Sequence, residues 1–302
     1  MQISPFNNTA DKTIKGAYRN IYHFETNEAV NIDHSVVEAF GEEWEKFYRF
    51  SDEDIEQIGK SYFSFLDNTI INKDTYVLDV GCGTGRWTKY LSGKVKFIEA
   101  IDPSKAIFYA DKLLKNIDNV RLSIASTDNI PFPDETFDFV MSVGVLHHIP
   151  DTQKAMTDCV KKVKKGGFFY VYLYYAFDNR GWAFKTLFKL SDIIRKAVSS
   201  LPANPKKFIC DIIAFTVYVP IVMIGSFFKF IGFKKLALRM PLSIYQDKSV
   251  FVMRNDALDR FGTSLEQRFT KVEIINMMQK AGLKNIQIPA EPIYWMAVGQ
   301  KI

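Results

Sequence analysis

The chain has 302 residues, 47% of them hydrophobic and 24% charged, which is the composition of a globular protein with one domain and a large appendage, or with two small domains. A net charge of only +5 argues against a dedicated nucleic-acid-binding protein. The charge is uneven, because the stretch from Asp178 to Met240 holds 11 Lys or Arg and 3 Asp or Glu, a balance of +8 that leaves the remainder at −3.

The N-terminal part of the chain is the least regular in pattern. Residues 1 to about 35 are polar, and a loose arm or short helices are expected there. From Val36 to Leu66, aromatic residues recur at three- and four-residue spacings, which favours a helix; they are Phe40, Trp44, Phe47 and Tyr48. Together these features predict an N-terminal helical extension over residues 1–70.

From Thr75 onward, strand-like and helix-like segments alternate. Short apolar runs predict four strands, over Thr75–Val80, Lys96–Asp102, Val120–Ser126 and Phe137–Gly144. A helix opens at Arg86–Leu91, and the next one places four apolar residues on one face: Ala106, Ile107, Ala110 and Leu114. This alternation predicts an α/β fold with a parallel sheet and helices on both of its faces.

A further helix and strand complete the first part of the predicted core, residues 71–176. Asp151 or Thr152 can cap the helix, and Gly166-Gly167 is expected to end it after a cluster of lysines in its last turns. Its buried stripe is Ala155, Cys159 and Val163, and a fifth strand over Phe168–Ala176 follows.

The strand-helix pattern stops at residue 177 and resumes at 269. The intervening residues 177–268 are expected to form a largely helical lid or substrate insertion. In residues 269–302, Thr270 and Glu273 form a capping box for a helix that ends at Gly282. Two short runs, Lys284–Pro289 and Ile293–Gln300, flank a turn containing Pro292, and so short a link predicts an antiparallel hairpin.

The turn after the first predicted strand, VLDVGCGTG from Val77 to Gly85, is the strongest candidate for a ligand site. Glycines permit positive φ and a close approach of the ligand to the backbone, and the following helix N-terminus attracts an anionic group. A dinucleotide fingerprint would have its third glycine at Arg86 instead of Gly85. The Asp79 carboxylate would repel a pyrophosphate but suits a ligand with an ammonium group.

Asp102 ends the next predicted strand, 17 residues beyond Gly85. A carboxylate at that place can accept hydrogen bonds from both hydroxyls of a ribose. The alternative is that Asp102 only caps the helix that follows Pro103.

With these residues in view, the segment 75–176 resembles the class I S-adenosylmethionine-dependent methyltransferases. The resemblance rests on VLDVGCGTG, Asp102, the run Ile130–Asp138 and the motif VLHHIPD, Val145–Asp151. It implies a Rossmann-like seven-stranded sheet of order 3-2-1-4-5-7-6 with the last strand antiparallel, and S-adenosylmethionine as cofactor, with S-adenosylhomocysteine as product.

The resemblance also implies which residues contact the cofactor. They are Asp79, Gly81, Cys82, Gly83, Gly85, Asp102, Ser126, Thr127, Asp128 and Val143. Family members often carry Asp where Ser126 stands, so the adenine hydrogen bond is expected from backbone groups or from Asp128.

Residues after the fourth and fifth strands are candidates for the chemistry. His147 and His148 lie at the ligand end of the sheet, where either imidazole could take a proton from a hydroxyl; the alternative is that they pack or bind main chain. A polar cluster could grip the acceptor or simply begin a solvated loop: Tyr174, Tyr175, Asp178 and Arg180. No carboxylate or amide cluster suggests a metal, so none is expected.

The insertion carries 17 consecutive uncharged residues, Ile212–Phe228, between basic flanks. The run is short for a bilayer span and Pro220 would kink it, so a place in the membrane interface through residues 206–239, or burial as an apolar lid, is expected. Together with residues 40–44, FGEEW, the insertion resembles methyltransferases of bacterial surface glycans and glycolipids.

The function indicated is therefore O-methylation of a sugar, glycolipid or other small hydroxylated acceptor. Alternatives are a lipid or quinone acceptor, a non-catalytic S-adenosylmethionine-binding partner or regulator, and a nucleotide-sugar oxidoreductase, against which Asp79 argues. Three scattered cysteines and the lack of a secretory signal favour the cytoplasm, with peripheral contact at the inner membrane. No nucleic-acid partner is expected.

Overall fold

The computed structural model describes residues 4–25, 31–38, 41, 51–176, 181–289 and 295–302. The chain divides into two compact units. The first comprises Met1–Asp178 and Leu265–Ile302, and the second comprises Asn179–Ser264.

The first unit is built on a sheet whose strand order is β1-β2-β5-β4-β3-β6-β7-β9-β8. Neighbours from β2 to β7 are parallel, whereas β1 pairs antiparallel with β2, and β9 pairs antiparallel with both β7 and β8. The strands are β1 Lys12–Lys15, β2 Asn20–His23, β3 Tyr76–Val80, β4 Phe97–Ile101, β5 Val120–Ile124, β6 Phe137–Val143, β7 Val163–Leu173, β8 Leu283–Gln287 and β9 Trp295–Lys301.

Strands β3 to β9 confirm the predicted seven-stranded order with its antiparallel last strand. β1 and β2 extend that sheet at one edge, so the expectation of a loose or helical N-terminal arm was wrong. Ile21 on β2 is fully buried and pairs with Leu122 of β5, which shows why this short polar stretch forms a strand. The free edge of β5 supplies backbone partners that the local pattern did not reveal.

Helices of the first unit cover both sheet faces. They are α1 Asp52–Phe63, α2 Arg86–Ser92, α3 Ile107–Leu113, α4 Thr152–Lys161 and, after the second unit, α10 Lys271–Lys280. The predicted buried face of α3 is confirmed, since Ala106, Ile107, Ala110 and Leu114 have no exposed surface.

The single helix predicted over Val36–Leu66 is wrong. Residues 34–38 are helical, but α1 starts anew at Asp52 because Ser51 is extended, with φ −70° and ψ 161°, and its side chain accepts a hydrogen bond from the Asp54 amide. The predicted aromatic positions Phe40, Trp44, Phe47 and Tyr48 lie outside the described residues.

Helix α4 begins as predicted, with the Asp151 side chain accepting from the Lys154 amide. It ends at Lys161, however, and not at Gly166. The Lys162 carbonyl accepts hydrogen bonds from the amides of Thr136 and Phe137, and Val163 already pairs with Phe137 in the sheet. The chain therefore turns into β7 before the glycines, and a bulge takes up the residues up to Phe168.

The C-terminal elements follow the prediction closely. Thr270 and Glu273 form the reciprocal capping box of α10, and Gly282 adopts φ 93° just past the helix end. β8 and β9 make the antiparallel pair. Pro292, predicted in the turn between them, lies outside the described residues.

The N-terminal hairpin of β1 and β2 is tied to the unit by Arg19, the residue before β2. Its guanidinium donates to the Asp111 carboxylate and to the backbone carbonyls of Leu114, Ile117 and Val120. Asp111 is 1% exposed, and its other oxygen accepts from the Tyr18 amide at 3.0 Å.

Replacing Arg19 by alanine is expected to lower the free energy of unfolding by about 3 kcal/mol, because a buried carboxylate loses its charged partner. Urea unfolding followed by circular dichroism would measure the change. Lys15→Ala, on the exposed neighbouring strand, is the control and should cost no more than about 0.5 kcal/mol. An Arg19→Ala variant as stable as this control would show that the hairpin contributes little.

The second unit is largely helical, as predicted. Its helices are α5 Trp182–Ser199, α6 Ala203–Ile213, α7 Val219–Phe230, α8 Lys234–Arg239 and α9 Val250–Gly262. A π-helical turn, Ala214–Tyr218, joins α6 to α7 without a break. The buried core of this unit is Ala214, Tyr218, Val222, Tyr245, Met253 and Ala257.

The continuous helix is longer than the uncharged run suggested. Asn204–Phe230 spans 27 residues, and by length and composition alone it could cross a membrane. Pro220 sits in the first turn of α7, directly after the π turn. Since a π turn shifts the backbone hydrogen bonds, it accommodates the proline that was expected to kink the helix.

Candidate cofactor and acceptor site

A cavity of about 970 Å³, including solvent at its mouth, lies at the carboxyl ends of β3 to β6. Its walls come from five segments that are distant in sequence: residues 31–37, the glycine turn 80–87, the strand ends 102–104 and 125–127, and the segment 143–149. Parallel α/β sheets place ligands at this edge.

The glycine turn forms one wall of the cavity. Gly81, Gly83 and Gly85 have φ values of 77°, 54° and 81°, in the left-handed region that side chains disfavour. A Cβ on Gly81 would lie 2.5 Å from a methyl of Val145, so the turn packs directly on the loop after β6. Gly85 contributes differently, because it lies against Ala110 and Leu114 and lets α2 approach α3.

Asp102 makes hydrogen bonds like those of a helix cap and also lines the cavity, so its place fits both the cap and the ribose contact considered from sequence. Its Oδ1 accepts from the Ser104 amide at 2.8 Å and hydroxyl at 2.6 Å, and its Oδ2 accepts from the Gly83 amide at 2.8 Å. The side chain also lines the cavity while only 7% exposed. Burial raises the pKa of Asp102, and these hydrogen bonds oppose the shift. The carboxylate is thus held rigidly at the cavity wall.

Asp79 lies behind the turn and is not one of the described residues that line the cavity. It is 1% exposed, its Oδ2 accepts from the Thr88 hydroxyl at 2.6 Å, and its Oδ1 has no hydrogen-bond partner. Burial, with a smaller contribution from the charge of Asp102, raises the pKa of Asp79 to about 7. The structure therefore places this carboxyl beneath the glycine backbone.

The raised pKa of Asp79 predicts a pH dependence of stability. The folded value of about 7 exceeds the ordinary 3.8, so between these values the folded state holds a proton that the unfolded state has lost. The free energy of unfolding contributed by this group therefore falls as pH rises through this window, by up to about 1.4 kcal/mol per pH unit.

Asp79→Asn is the variant that isolates this contribution. Relative to wild type, it should gain stability as pH rises from about 4 to about 7, measured by urea unfolding at several pH values. The Thr88 hydroxyl keeps an acceptor in the variant. A difference between the two proteins that does not change with pH would contradict the assignment.

The predicted adenine-side residues separate into two groups. Ser126, Thr127 and Val143 line the cavity, and so does Cys82 of the turn. The Ser126 hydroxyl is buried without a hydrogen-bond partner. Asp128 instead accepts from the Asn31 amide at 2.8 Å and pairs with Lys154 at 2.6 Å. An adenine would therefore meet Ser126, while Asp128 secures the wall behind it.

The two histidines occupy different positions. His148 lines the cavity, and its Nδ1 lies 2.7 Å from the Leu265 carbonyl. Because a carbonyl only accepts, Nδ1 carries a hydrogen, and Nε2 is the nitrogen at which this ring can take up or release a proton. The main-chain contact and a place at the cavity thus occur together in His148.

His147 is fully buried, and neither ring nitrogen has a hydrogen-bond partner. Its ring stacks on Tyr174 at a centroid distance of 3.9 Å. Burial, followed by the charges of His148 and Arg268, lowers the pKa of His147 well below its usual value. The ring is therefore a poor proton acceptor and serves as packing.

Two of the predicted acceptor residues, Tyr174 and Tyr175, directly follow β7 and are not among the described residues that line the cavity. Tyr174 is covered by His147 and by the Arg268 guanidinium, 5.2 Å from its ring. Tyr175 is 7% exposed and forms a bridge with Phe269. Asp178 and Arg180 lie outside the described residues, so the structure does not place the polar part of this cluster.

The N-terminal segment is the wall that the sequence did not reveal. Asn31 donates its side-chain amide to the Asp151 carbonyl at 2.8 Å and accepts from the Asp151 amide at 2.7 Å. It thereby holds Ile32, Asp33, Val36 and Val37 at the cavity. One local signal was present, since Asp33 accepts from the amides of Ser35 and Val36 as a helix-starting residue does.

Trp87 and Arg86 also line the cavity without having been predicted to. The Arg86 guanidinium lies over the Trp87 ring at 4.7 Å, and Tyr62 of α1 stacks on the other side of this cluster. The tryptophan is 3% exposed. These residues place an aromatic surface and a cation beside the glycine turn.

The cavity fits S-adenosylmethionine on its own observations. Asp102 offers a fixed carboxylate, Gly81 and Gly83 bring backbone to the cavity, and Ser126 offers a buried hydroxyl that lacks a protein partner. Within the described residues, no three His, Cys, Asp or Glu side chains come together as a metal-binding group.

Comparisons with known proteins agree with this geometry. The profile of the methyltransferase domain family matches residues 78–171. A demethylmenaquinone methyltransferase of Bacillus licheniformis is 31% identical over 133 residues, which are 41% of this chain and 57% of that protein. The uncharacterized methyltransferase YcgJ of Bacillus subtilis is 30% identical over 105 residues, 33% of this chain and 41% of that protein. The chain thus spans about half the length of the curated relatives it matches.

Among solved structures, that of YcgJ has a TM-score of 0.46 at 16% identity, covering 79% of this chain and 70% of that one. Human N-acetylserotonin methyltransferase in complex with S-adenosylmethionine has a TM-score of 0.48 at 14% identity, covering 87% of this chain and 56% of that one. Residues 78–171 therefore carry a methyltransferase domain, and its cofactor is S-adenosylmethionine.

Proposed function

We propose that the protein transfers a methyl group from S-adenosylmethionine to a hydroxyl oxygen of a sugar, glycolipid or other small acceptor. The observation that carries the proposal is His148, an imidazole whose Nδ1 is fixed by the Leu265 carbonyl at the wall of the cofactor cavity. When bound, the cofactor would supply a methyl group on a positively charged sulfur; as the acceptor oxygen bonds that carbon, the carbon–sulfur bond breaks and the sulfur leaves as the neutral thioether of S-adenosylhomocysteine.

The protein's contribution divides between holding and proton transfer. Asp102 would accept from the ribose, Ser126 would bond the adenine, and the glycine turn would let the methionine part approach the backbone. Such positioning supplies much of the rate of a displacement reaction. His148 Nε2 would take the acceptor's hydroxyl proton as the new bond to carbon forms, which adds about 100- to 10,000-fold.

His148 is positioned by the backbone of residues 265–267, here called the strap, which follow the second unit in sequence. Besides the Leu265 carbonyl, this strap donates the Gln267 amide to the His147 carbonyl at 2.9 Å. The Gln267 side chain donates to the Ile149 carbonyl at 2.7 Å. The segment bearing both histidines is therefore clamped on its outer side, as a fixed catalytic base requires.

A quinone or related lipid acceptor is the alternative that a specific observation favours. The Bacillus licheniformis relative is named for methylating demethylmenaquinone. The walls from Ile32, Val36, Val37, Val143 and Val145 are apolar and would accept a ring or a lipid chain as readily as they would exclude water.

Methyl transfer by the purified full chain tests the proposal. The protein is incubated with S-adenosylmethionine and panels of hydroxylated glycans, glycolipids and quinones, and S-adenosylhomocysteine is quantified by mass spectrometry. Acceptor-dependent product from the hydroxylated panel is expected. Product from quinones alone would transfer the function to the alternative, and tight cofactor binding without turnover on any panel would favour a regulatory binding protein.

A further inference from the structure

The continuous helix from Ala203 to Phe230 has two unlike sides. One side is a stripe at three- and four-residue spacing that packs in the second unit's core, formed by Cys210, Ala214, Tyr218, Val222 and Gly225. The opposite side, here called the apolar face, is exposed and uncharged. Its large members are Ile212, Phe215, Met223, Ile224 and Phe227, each between 43% and 66% exposed.

Apolar exposure continues beyond the helix. Phe230 is 88% exposed, and Phe233 and Leu238 in the next turns are 60% and 67% exposed. Globular proteins seldom leave so many neighbouring large apolar side chains in water unless the surface contacts something apolar.

Basic residues flank the apolar face at both ends. Lys206 and Lys207 lie at its start, and exposed Lys234, Lys235 and Arg239 lie on α8 beyond its end. The unit Asn179–Ser264 contains 14 Lys or Arg and 5 Asp or Glu, a balance of +9 in a chain whose total is +5. An uncharged strip between cationic ends is the arrangement of a helix that lies on an anionic membrane surface.

The packed side of the helix favours a position on a membrane surface over one that crosses it. Asp211 pairs with Arg254 of α9 at 2.8 Å, and the Tyr218 hydroxyl bonds Asp256 at 3.2 Å. Asp256 in turn pairs with Arg260 at 2.8 Å. A spanning orientation would carry α9 and these charges into hydrocarbon, which is costly, whereas an interfacial orientation leaves them in water.

We propose that the apolar face and its basic flanks dock this protein on a bilayer containing anionic phospholipid. The uncharged side chains enter the boundary between headgroups and acyl chains, and the lysines contact lipid phosphates. This inference does not depend on the identity of the methyl acceptor. It bears on the acceptor all the same, because a docked enzyme would meet lipid-linked molecules at the bilayer surface.

Flotation of the full chain with vesicles tests the proposal. Vesicles of phosphatidylcholine, with and without about one third phosphatidylglycerol, are compared at low and high salt. Binding to the anionic vesicles that weakens as salt rises is expected. Equal recovery with neutral and anionic vesicles, or no flotation at all, would overturn it, and binding that resists high salt and alkaline extraction would indicate spanning.

Two pairs of variants separate the apolar and charge contributions. The double variant Met223→Gln/Phe227→Gln keeps helix propensity and should weaken vesicle binding about tenfold or more. Its control is Tyr18→Gln/Val272→Gln, which changes two similarly exposed residues outside the second unit and should leave vesicle binding unchanged. Lys234→Glu/Lys235→Glu should weaken binding by a similar factor, and Lys280→Glu/Lys284→Glu should change it little.

The same variants test whether the apolar face binds a second copy of this chain instead of a membrane. If the wild type forms a dimer by analytical ultracentrifugation and Met223→Gln/Phe227→Gln is monomeric without any loss of vesicle binding, the apolar face binds a second copy and the membrane proposal fails. Affinity for S-adenosylhomocysteine is measured alongside, so that failure of membrane docking and failure of the methyltransferase function can be distinguished.

Discussion

Replacing His148 by asparagine is expected to lower turnover by about 100- to 10,000-fold, the contribution of a general base. Asparagine is the informative substitution because its side-chain amide can still donate to the Leu265 carbonyl, which His148 Nδ1 contacts at 2.7 Å. The variant therefore keeps the clamp on this segment and removes only the basic nitrogen.

The measurement is single-turnover methyl transfer with the best acceptor, together with calorimetric titration by S-adenosylhomocysteine. Turnover should collapse while cofactor affinity stays within about threefold, the signature of an interaction made only in the transition state. An asparagine variant as active as wild type would mean that alignment alone drives the reaction.

His147→Phe is the matched control. The native ring is fully buried, stacks on Tyr174 and leaves both nitrogens without partners. Phenylalanine retains the stacking and removes two unsatisfied polar atoms, so the free energy of unfolding should stay the same or rise by about 1 kcal/mol. Turnover should be close to wild type. A large loss of turnover here would instead assign the catalytic role to His147.

The contrast between these neighbours shows where sequence reasoning reached its limit. Adjacent histidines after a strand end predicted the correct edge of the sheet, but one residue of rotation along a short 3-10 turn, Leu146–His148, decides which ring meets the cavity. That rotation is fixed by Gln267 and Leu265, more than a hundred residues away, and no local pattern contains them.

The central strands could be predicted because their signals are local. Apolar runs of five to seven residues, glycines at positive φ and a capping box each act within a few residues of themselves. The N-terminal hairpin and the wall at Asn31 could not be predicted in the same way. These two features are stabilised by partners far away in sequence, Leu122 for Ile21 and Asp151 for Asn31. A polar segment with little periodic pattern therefore joins both the sheet and the cavity wall.

Asp79 and Asp128 illustrate the opposite error. Both have the residue type and the position along the chain that the family pattern associates with the cofactor, yet the structure turns them away from the described cavity wall. Asp79 accepts from Thr88, and Asp128 accepts from Asn31 and Lys154. Spacing indicates which backbone segment approaches a ligand, but competing partners decide where the side chain points.

Replacing Asp102 by asparagine is expected to weaken binding of S-adenosylhomocysteine about 100-fold or more, because two charge-assisted hydrogen bonds to the ribose would be lost. Calorimetric titration measures the affinity. Asp102 also accepts from Gly83 and Ser104, however, so a weaker complex could follow from a distorted turn alone.

A ligand that lacks the ribose hydroxyls separates these causes. Wild type should bind S-adenosylhomocysteine much more tightly than its 2′,3′-dideoxy analogue, whereas Asp102→Asn should bind the two with similar affinity. The difference between these two affinity ratios is the coupling energy between Asp102 and the ribose hydroxyls. Ser104→Ala is the control, since it removes one hydrogen bond to Asp102 at 2.6 Å and keeps the charge. It should retain the discrimination with about a tenfold loss or less. If Asp102→Asn weakens both ligands equally, the carboxylate only shapes the turn, and the ribose must be held by backbone groups of the glycine segment.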